Sequence, residues 1–402
     1  MSKIAMNRQC RVKVKFGDAV ENVNQVERDP AAKGIDRIVG LEHIDPENLH
    51  IRRWNTLENG TSFTRKFVPG QTLFGKRRAY QRKVAYAEFE GICSGDILTF
   101  ESKDEKVLLP ELLPFICQTD AFFDYAIGTS AGSLSPRTSW KALKDFEFPL
   151  PPIEDQKRIT EILWAADESL EAWIATSEAL ETAKQQFLGL IFQKARKVTD
   201  GWKLKKLREV ADLQTGLAIG RKYSNKENTV ELPYLRVANV KDGYLDLREI
   251  KTIRVLLSEV ERYSVRYGDV LLTEGGDFDK VGRGTVWNGK LEECLHQNHV
   301  FCVRPKKGVL LPEFLSYQTA SPYGKRYFLK CAKKTSNLAS INSTQVKNFP
   351  VLLAPIEEQG RSIGLLKLIE AKQAQVQEHT NYLRSLIKRC LNTIKAGEPA
   401  NV

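Results

Sequence analysis

Two long stretches of the chain carry apolar residues at alternating steps of three and four positions, the heptad spacing of a helix with one apolar stripe. The first stripe, in residues 157–195, consists of Ile159, Leu163, Ala166, Leu170, Trp173, Ser177, Leu180, Lys184, Phe187 and Ile191. The second consists of Leu366, Ile369, Gln373, Val376, Thr380, Leu383, Ile387, Cys390 and Ile394. Such helices are unstable unless another surface covers the stripe. Because the two patterns match, we expect the helices to pair as an antiparallel coil, although each could instead pack on its own domain.

Large apolar residues also lie off the first stripe. Trp164 and Ile174 fall beside it or on the opposite side of the helix. Exposed large apolar groups often mark interfaces. We therefore expect an outer helix face that binds a partner.

The residues before each helix alternate short apolar runs with turn residues, as strands do. Residues 233–247, PYLRVANVKDGYLDL, predict a strand, an Asp-Gly turn and a second strand. Residues 268–276, GDVLLTEGG, predict a buried strand that runs into a glycine pair. Each long helix therefore follows a segment of mixed helix and strand.

The chain repeats itself. PIEDQ at 152–156 returns as PIEEQ at 355–359, and VLLPELL at 107–113 returns as VLLPEFL at 309–315. Self-similarity of this length indicates two copies of one module. The predicted boundaries are 1–150 and 201–353 for the two globular segments, with 151–200 and 354–402 for the helices that follow them.

The positive charge of the chain is concentrated in one segment. The net charge is +11 over 402 residues, and residues 201–350 hold 26 Lys and Arg against 16 Asp and Glu. A basic field of this kind attracts polyanions such as nucleic acid. Many basic proteins are merely well solvated, so charge alone leaves both interpretations open.

Composition also bounds the location of the protein. The seven cysteines are an odd number without a Cys-x-x-Cys pair, which argues against a disulfide framework or a zinc site. The sequence has no apolar run of about 18 residues and its first residues have no apolar signal core, so neither a membrane span nor export is expected. These features predict a cytoplasmic protein with reduced thiols.

Two loops combine basic residues with features that favour phosphate contact. The segment GKRRAYQRK at 75–83 surrounds a tyrosine with five basic residues, and residues 275–284 place basic residues among glycines that let a backbone approach a ligand. A solvated turn is the alternative in both cases. The candidate DNA-binding residues are Lys76, Arg77, Arg78, Tyr80, Arg82, Lys83, Arg236, Asn239, Lys280, Arg283, Lys333 and Lys334.

The sequence shows little sign of catalysis. It contains no N-P-P-[FY] loop of an adenine methyltransferase and no Walker motif. Asp96, Glu101 and Lys103 have the order of a metal-dependent nuclease site, so a stand-alone DNA-modifying or nicking enzyme remains an alternative. The second copy has no matching carboxylates, and His296 and His299 favour a structural role over a metal site. We expect a binding protein without a metal or catalytic residues.

Five segments together resemble a known family. RIVGLEHIDPENLHIRRW at 37–54, YLRVANVKDGYLDL, GDVLLTEGGDFDKVGRG and the two PIE-[DE]-Q helices occur in the order found in the specificity (S) subunit of type I restriction–modification systems. The resemblance covers essentially the whole chain. It implies an α+β fold with two mixed α/β target recognition domains, separated by an antiparallel two-helix coiled coil and related by a pseudo-twofold internal repeat.

The resemblance also implies partners and cofactors. Each target recognition domain of such a subunit reads one half of a bipartite site in double-stranded DNA. The coil docks two modification (methyltransferase) subunits, and restriction (motor-nuclease) subunits complete the assembly. S-adenosylmethionine, ATP and Mg²⁺ are then bound by the partner subunits and no cofactor by this chain. One departure is that the first segment lacks the glycine cluster of the second, so its contact loop rests on position and charge alone.

Overall fold

The computed structural model of the protein describes residues 12–194, 201–220, 223–224, 228–335 and 338–396. Cys10, one of the seven cysteines, lies outside the described residues. The chain divides into two compact units, of which the first comprises residues 1–175 and 377–402 and the second residues 176–376. The boundaries fall within the two long helices, so each helix contributes to both units.

The first unit combines short strands with small helices. Its strands are β1 (Val12–Lys15), β2 (Val20–Asn22), β3 (Ile38–Val39), β4 (Arg65–Phe67), β5 (Thr72–Gly75), β6 (Val84–Tyr86), β7 (Gly91–Cys93), β8 (Ile97–Ser102) and β9 (Glu147–Leu150). Its helices are α1 (Phe16–Ala19), α2 (Leu113–Gln118), α3 (Asp120–Gly128) and α4 (Trp140–Leu143), followed by the long helix α5 (Ile153–Lys194).

The second unit is built in the same way. Its strands are β10 (Lys203–Lys206), β11 (Ala211–Thr215), β12 (Thr229–Leu235), β13 (Lys251–Leu256), β14 (Val270–Thr273), β15 (Gly275–Gly276), β16 (Gly284–Val286), β17 (Leu295–His296), β18 (Val300–Pro305), β19 (Lys333–Lys334), β20 (Ala339–Ser340) and β21 (Pro350–Leu353). Its helices are α6 (Leu207–Val210), α7 (Val260–Tyr263), α8 (Pro312–Ala320), α9 (Pro322–Cys331) and α10 (Ser343–Lys347), followed by the long helix α11 (Ile356–Ala396).

The sheets confirm the internal repeat. An antiparallel sheet of order β2-β8-β5-β6 in the first unit corresponds to β11-β18-β14-β16 in the second, and the two-stranded sheet β1-β9 corresponds to β10-β21. A short parallel pair also recurs, with β3 beside β7 and β12 beside β17. The copies differ at the next strand, because β4 pairs with β7 whereas β13 pairs with β12.

The predicted strands near the basic loops are partly confirmed. β14 is buried along its whole length and leads to the glycine pair, as its apolar run predicts. The expected hairpin at 233–247 is reduced to a single bridge between Val240 and Leu245, with the turn between them. The first predicted strand ends earlier than expected, because Val237–Asn239 form a 3-10 turn.

The long helices run antiparallel within each unit. In the first unit the rings of Trp173 and His379 stack with centroids 4.8 Å apart. In the second, Lys184 pairs with Glu370 at 2.9 Å, and the side-chain amide of Gln373 donates to Glu181 at 2.9 Å. As the residue number falls on one helix it rises on the other, which defines the antiparallel direction.

Each apolar stripe is confirmed at four of its predicted positions. In α11 the buried predicted residues are Leu366, Val376, Thr380 and Ile387, and near the helix end Leu391 is buried in place of Cys390. In α5, Ile159, Leu163, Ala166 and Leu170 are buried as predicted. Near the end of α5 the buried residues are Leu188 and Phe192, each one position after the predicted Phe187 and Ile191. The core of the second unit therefore covers a face of the helix that is rotated slightly from the predicted stripe.

The expectation of an outer face at Trp164 and Ile174 is wrong. The Trp164 ring packs against Phe115 and its indole N–H donates to the Glu111 carbonyl at 3.1 Å. Ile174 is half-buried against the core of the first unit. Heptad spacing alone could not show that the first domain covers a second side of the helix.

A buried glutamine fixes the start of each long helix. The Gln156 carboxamide accepts a hydrogen bond from the Leu109 N–H at 3.0 Å and donates to the carbonyls of Val107 and Pro151 at 2.7 and 2.9 Å. Gln156 and Gln359 are 1% and 0% exposed. The two repeated motifs, PIE-[DE]-Q and VLLPE, are therefore the two sides of one contact.

The second copy reproduces this contact atom by atom. Gln359 accepts from the Leu311 N–H at 2.8 Å and donates to the carbonyls of Val309 and Ala354 at 3.0 and 2.8 Å. The acidic residues of each motif lie in the first helical turn, where the helix dipole favours negative charge.

A histidine joins the first domain to α5. His50 lies 2.5 Å from a carboxylate oxygen of Glu88 through Nδ1 and 2.8 Å from one of Asp167 through Nε2. These carboxylates raise the pKa of His50 above its ordinary value of 6.5, Asp167 most strongly, although burial acts in the opposite direction. The second unit has no such contact among its described residues.

Replacing either buried glutamine should destabilise its unit. Gln156→Met keeps a similar volume but leaves the Leu109 N–H and the carbonyls of Val107 and Pro151 without their partner, which should lower the free energy of unfolding by about 3 kcal/mol. Gln375→Met, at an exposed position of α11, is the matched control and should cost less than about 0.5 kcal/mol. Urea titration measures both, and equal losses would show that the buried contact is not special.

The stability of the first unit should depend on pH through His50. Because its pKa is raised on folding, its contribution is fully present below the unfolded value near 6.5 and is lost as pH rises through the raised value. His50→Gln and Asp167→Asn should each flatten the fall in unfolding free energy above pH 6.5. Urea titrations between pH 6 and 9 test this, and variant curves that stay parallel to the wild type would contradict it.

Candidate nucleic-acid interface

Three short segments of the second copy form a small antiparallel sheet near the basic residues. β20 lies between β15 and β19, so that Ser340 is paired with both Gly275 and Lys333. This sheet brings the glycine pair beside Lys333 and Lys334, although about 60 positions separate them in the sequence. We call this three-segment arrangement the loop ladder.

The first copy has the same loop ladder, made from isolated bridges. Arg137 is the central residue and pairs with Arg77 on one side and Ala131 on the other. Its surroundings also correspond. The Lys76 N–H donates to the Asp96 carbonyl at 2.9 Å, just as the Glu274 N–H donates to the His299 carbonyl at 3.0 Å. The two copies therefore share a backbone framework and differ in the charges that it carries.

An acidic residue organises the first loop ladder. Asp96 bonds Arg137 at 2.8 Å and lies 3.5 Å from Arg77. The bond from the Arg137 guanidinium holds the pKa of Asp96 below its ordinary value. Arg77 also donates from Nε to the Ser135 hydroxyl at 2.9 Å. Two of the three arginines here are thus held in place by contacts within the chain.

Arg78 differs from these neighbours. No hydrogen bond or ion pair of its side chain is found in the described part of the chain, and its Nε is buried without a partner. Its backbone is left-handed, with φ 53°, and its N–H donates to the Pro136 carbonyl at 2.7 Å. Lys76 lies beside it, and burial together with the nearby Arg65 guanidinium lowers the pKa of its ammonium. Tyr80 is exposed.

The second loop ladder leaves more of its positive charge free. Lys333 and Lys334 are exposed, and neither forms an ion pair with any described residue. Arg283 has a buried Nε without a partner in that same part of the structure. Lys280 is paired with Asp277, and Glu274 with His299. The predicted residues Lys280, Lys333 and Lys334 therefore come together.

The glycines of the second loop serve the protein itself. A Cβ at Gly284 would overlap the carbonyl oxygen of Leu271, where β16 pairs with β14. A Cβ at Gly282, whose φ is +69°, would overlap the Phe328 ring. Close approach of backbone and ring explains these two glycines, so they give no independent support for a ligand.

Four predicted residues lie in contacts within their own domain. Arg82 bonds Asp120 at 2.9 Å and stacks over Phe123, and Lys83 donates to the Leu41 carbonyl at 2.5 Å. Arg236 pairs with Glu249 at 3.2 Å. A role in DNA contact stays a prediction for them, as for the other candidates.

Asn239 is the fourth of these residues and is buried. It accepts from the Arg236 N–H at 3.0 Å and donates to the carbonyls of Asp246 and Glu249 at 2.9 Å each. In the first copy His43 accepts from the Gly40 N–H at 2.9 Å in the same way. This residue closes a turn in both copies.

Sequence reasoning missed Arg137. It lies 54 positions after the Lys83 end of the basic loop and has no basic neighbour in sequence, so no local signal marked it. Only the pairing of Arg77 with Arg137 brings it to the same place. The internal repeat could have found it, because Arg137 occupies the position that Ser340 takes in the second copy.

With this geometry in place, comparison with known proteins decides the family. A family model described as the type I restriction modification DNA specificity domain matches residues 46–181 and again residues 199–381. Together the two matches cover most of the chain. The chain belongs to the type I restriction modification DNA specificity family.

Relatives and solved structures of this family resemble the chain over most of its length. The type I restriction enzyme EcoKI specificity subunit of Escherichia coli (strain K12) is 22% identical over 390 residues, 89% of this chain and 82% of that protein. A chain solved in a study of complex assembly and conformational transition of the type I R-M system has a TM-score of 0.58 and 19% identity, covering 96% of this chain and 98% of that chain. The type I S subunit from M. genitalium has a TM-score of 0.56 and 13% identity, covering 96% of both. The two structures show the same fold.

As a member of this specificity family, the chain recognises DNA sequence and is not the catalytic subunit. The carboxylates of the alternative nuclease site have partners within the chain. Asp96 is held by two arginines, and Glu101 accepts from the Gln71 side chain at 3.1 Å. Within the described ranges no group of three His, Cys, Asp or Glu could hold a metal ion.

His296 and His299, the histidines considered as a metal site, have separate roles. His296 is buried and its Nδ1 lies 2.7 Å from the Val300 carbonyl, whereas His299 is exposed and paired with Glu274. Burial lowers the pKa of His296.

Among the helices that the structure describes, none is both long and apolar enough to cross a membrane.

Proposed function

We propose that this specificity subunit reads a bipartite DNA target, with one target recognition domain and its loop ladder for each half-site. The observation that carries the proposal is the repeated framework with different side chains. Lys76 and Asp96 in one copy stand where Glu274 and His299 stand in the other. A shared backbone presents each ladder in the same way, and different side chains suit it to a different base sequence.

The charge of the ladders suits this role. Arg78 in the first copy and Lys333, Lys334 and Arg283 in the second are free of carboxylate partners within the described residues. Free cations contact phosphates and set the register of the protein on the duplex, whereas base edges supply specificity. Arg82, Lys83, Arg236 and Asn239 have contacts within their domains, and DNA contact stays a prediction for them.

The proposal extends to partners. Two modification (methyltransferase) subunits dock on the long helices, one for each copy of the repeat, and restriction subunits join the full assembly. Exposed apolar residues at equivalent helix positions support two matching docking sites, since Ile162 of α5 corresponds to Leu365 of α11. Leu368 adds to the second site.

In the assembled complex the partner subunits bind S-adenosylmethionine, ATP and Mg²⁺, and this chain binds none of them. Its place is the cytoplasm, where these cofactors and the chromosome are found. Asp96 and Glu101, the carboxylates of the alternative nuclease site, are bonded to the side chains of Arg137 and Gln71. These bonds support the assignment of catalysis to the partner subunits.

The bipartite target is tested by sequencing the DNA that the complex methylates in cells. The expected site has two short words separated by unread bases. Exchange of residues 12–150 for those of a relative should replace one word and keep the other. A single contiguous word, or two new words after the exchange, would contradict the assignment of one domain to each half-site.

The number of partners is tested by light scattering of the reconstituted complex. Two methyltransferase subunits should be bound per chain at saturation, and Ile162→Asp combined with Leu365→Asp should abolish both. Tyr382→Asp, which changes another exposed residue of α11, is the control. One partner at saturation would contradict the proposal.

A further inference from the structure

Each loop ladder ends in a loop that exposes a leucine. In the first copy the loop between Ala131 and Arg137 carries Leu134, which is 90% exposed. In the second copy the loop between β19 and β20 carries Leu338, which is 54% exposed. The two leucines thus occupy the same part of the repeated framework.

The basic loop beside each ladder also exposes an aromatic ring. Tyr80 lies in a 3-10 turn at Ala79–Gln81 and is 55% exposed, and Phe278 lies in a 3-10 turn at Phe278–Lys280 and is 39% exposed. Each target recognition domain therefore presents one leucine and one aromatic residue from the two loops that its ladder joins.

Exposed apolar residues are common on protein surfaces and single ones need no explanation. Here the pair recurs in both copies although the polar residues around it have changed, from Lys76 to Glu274 and from Arg137 to Ser340. An apolar residue is thus present at both loops in both copies, while the charges beside it differ.

The leucine loops are held in place. In the first copy Ser135, next to Leu134, accepts a bond from Arg77 at 2.9 Å, and the Pro136 carbonyl accepts one from the Arg78 N–H at 2.7 Å. In the second copy the Leu338 carbonyl accepts from the Thr335 N–H at 2.8 Å. These bonds hold described residues next to each leucine, and both leucine side chains are exposed.

We propose that Leu134 and Leu338, together with Tyr80 and Phe278, contact the bases of the two half-sites. The inference rests on the proposed function and adds which residues touch bases. Phosphates offer nothing that favours an apolar side chain, whereas DNA bases present the thymine methyl group and the faces of base pairs. The basic residues of the same ladders hold the backbone that brings those bases within reach.

The test compares variants of the full-length chain on DNA that carries its own site and on DNA in which one half-site is scrambled. Leu338→Ala should weaken binding to the intact site about five- to fiftyfold, since the variant cannot make the apolar contact with a base, and should leave binding to scrambled DNA unchanged. The slope of log affinity against log salt should also stay the same, because the variant keeps every phosphate contact.

Two further variants serve as controls. Leu257→Ala removes a leucine of matched exposure, 53%, from the same domain outside the ladder and should bind like the wild type. Lys333→Ala with Lys334→Ala should weaken binding to both DNAs and lower the salt slope by about 0.9 for each phosphate that the variant no longer neutralises.

Leu134→Ala should act on the other half-site as Leu338→Ala acts on its own, and Val26→Ala is its control.

Two further measurements distinguish contact with a thymine methyl group from packing on a base face. If the leucine contacts a thymine methyl, uracil in place of that thymine should weaken the wild type and not Leu338→Ala. If it packs on a base face, the fluorescence of 2-aminopurine placed at that base step should increase when the wild type binds and should not increase when the variant binds. Either result supports the inference.

Three outcomes would overturn it. They are an unchanged affinity of Leu338→Ala for the intact site, an equal loss of affinity on both DNAs, and a specific loss of affinity without a signal in either measurement. If the wild-type chain itself does not distinguish intact from scrambled sites, the proposed function fails as well. If it does distinguish them and the leucine variants behave like the wild type, only the present inference fails.

Discussion

The structure depends on one buried carboxamide in each copy. Gln156 and Gln359 each satisfy one N–H and two carbonyls that belong to a loop and to a helix start. Each polar group left unpaired here would cost on the order of 1–3 kcal/mol. The glutamine therefore sets where each long helix leaves its domain, and the direction of the helix follows from it.

The loop ladders show how two copies can diverge in recognition without diverging in fold. Backbone hydrogen bonds hold the ladder, so its side chains are free to change. Where the first copy places Asp96 between two arginines, the second has His299 paired with Glu274. The pair Gln71 and Glu101 likewise corresponds to Asp269 and Arg304, which form a two-bond ion pair at 2.7 Å. In both copies the carboxylates at these positions keep a partner.

Much of this organisation is readable from the sequence, because periodicity and repetition act over long stretches. The heptads predicted both long helices and their pairing, and the repeat located the joints marked by Gln156 and Gln359. The candidate interface was harder to predict. Residue type cannot separate Arg78, which has no partner among the described residues, from Arg82, which is bonded to Asp120. Arg137 has no local signal and is found through its pairing with a distant segment or its match to Ser340 in the repeat, whereas the burial of Trp164 depends on a domain surface that covers it.

The two long helices each begin in one hydrophobic core and end in the other. Leu188 and Phe192 of α5 are buried in the core of the second unit, and Ile387 and Leu391 of α11 in that of the first. Neither half of the chain can complete its own core. A polypeptide cut between the copies would carry a helix end whose apolar side chains have no cover, and a second identical half could supply it. The arrangement is that of a dimer whose two subunits have been fused into one polypeptide, and such a fusion lets each subunit evolve its own specificity.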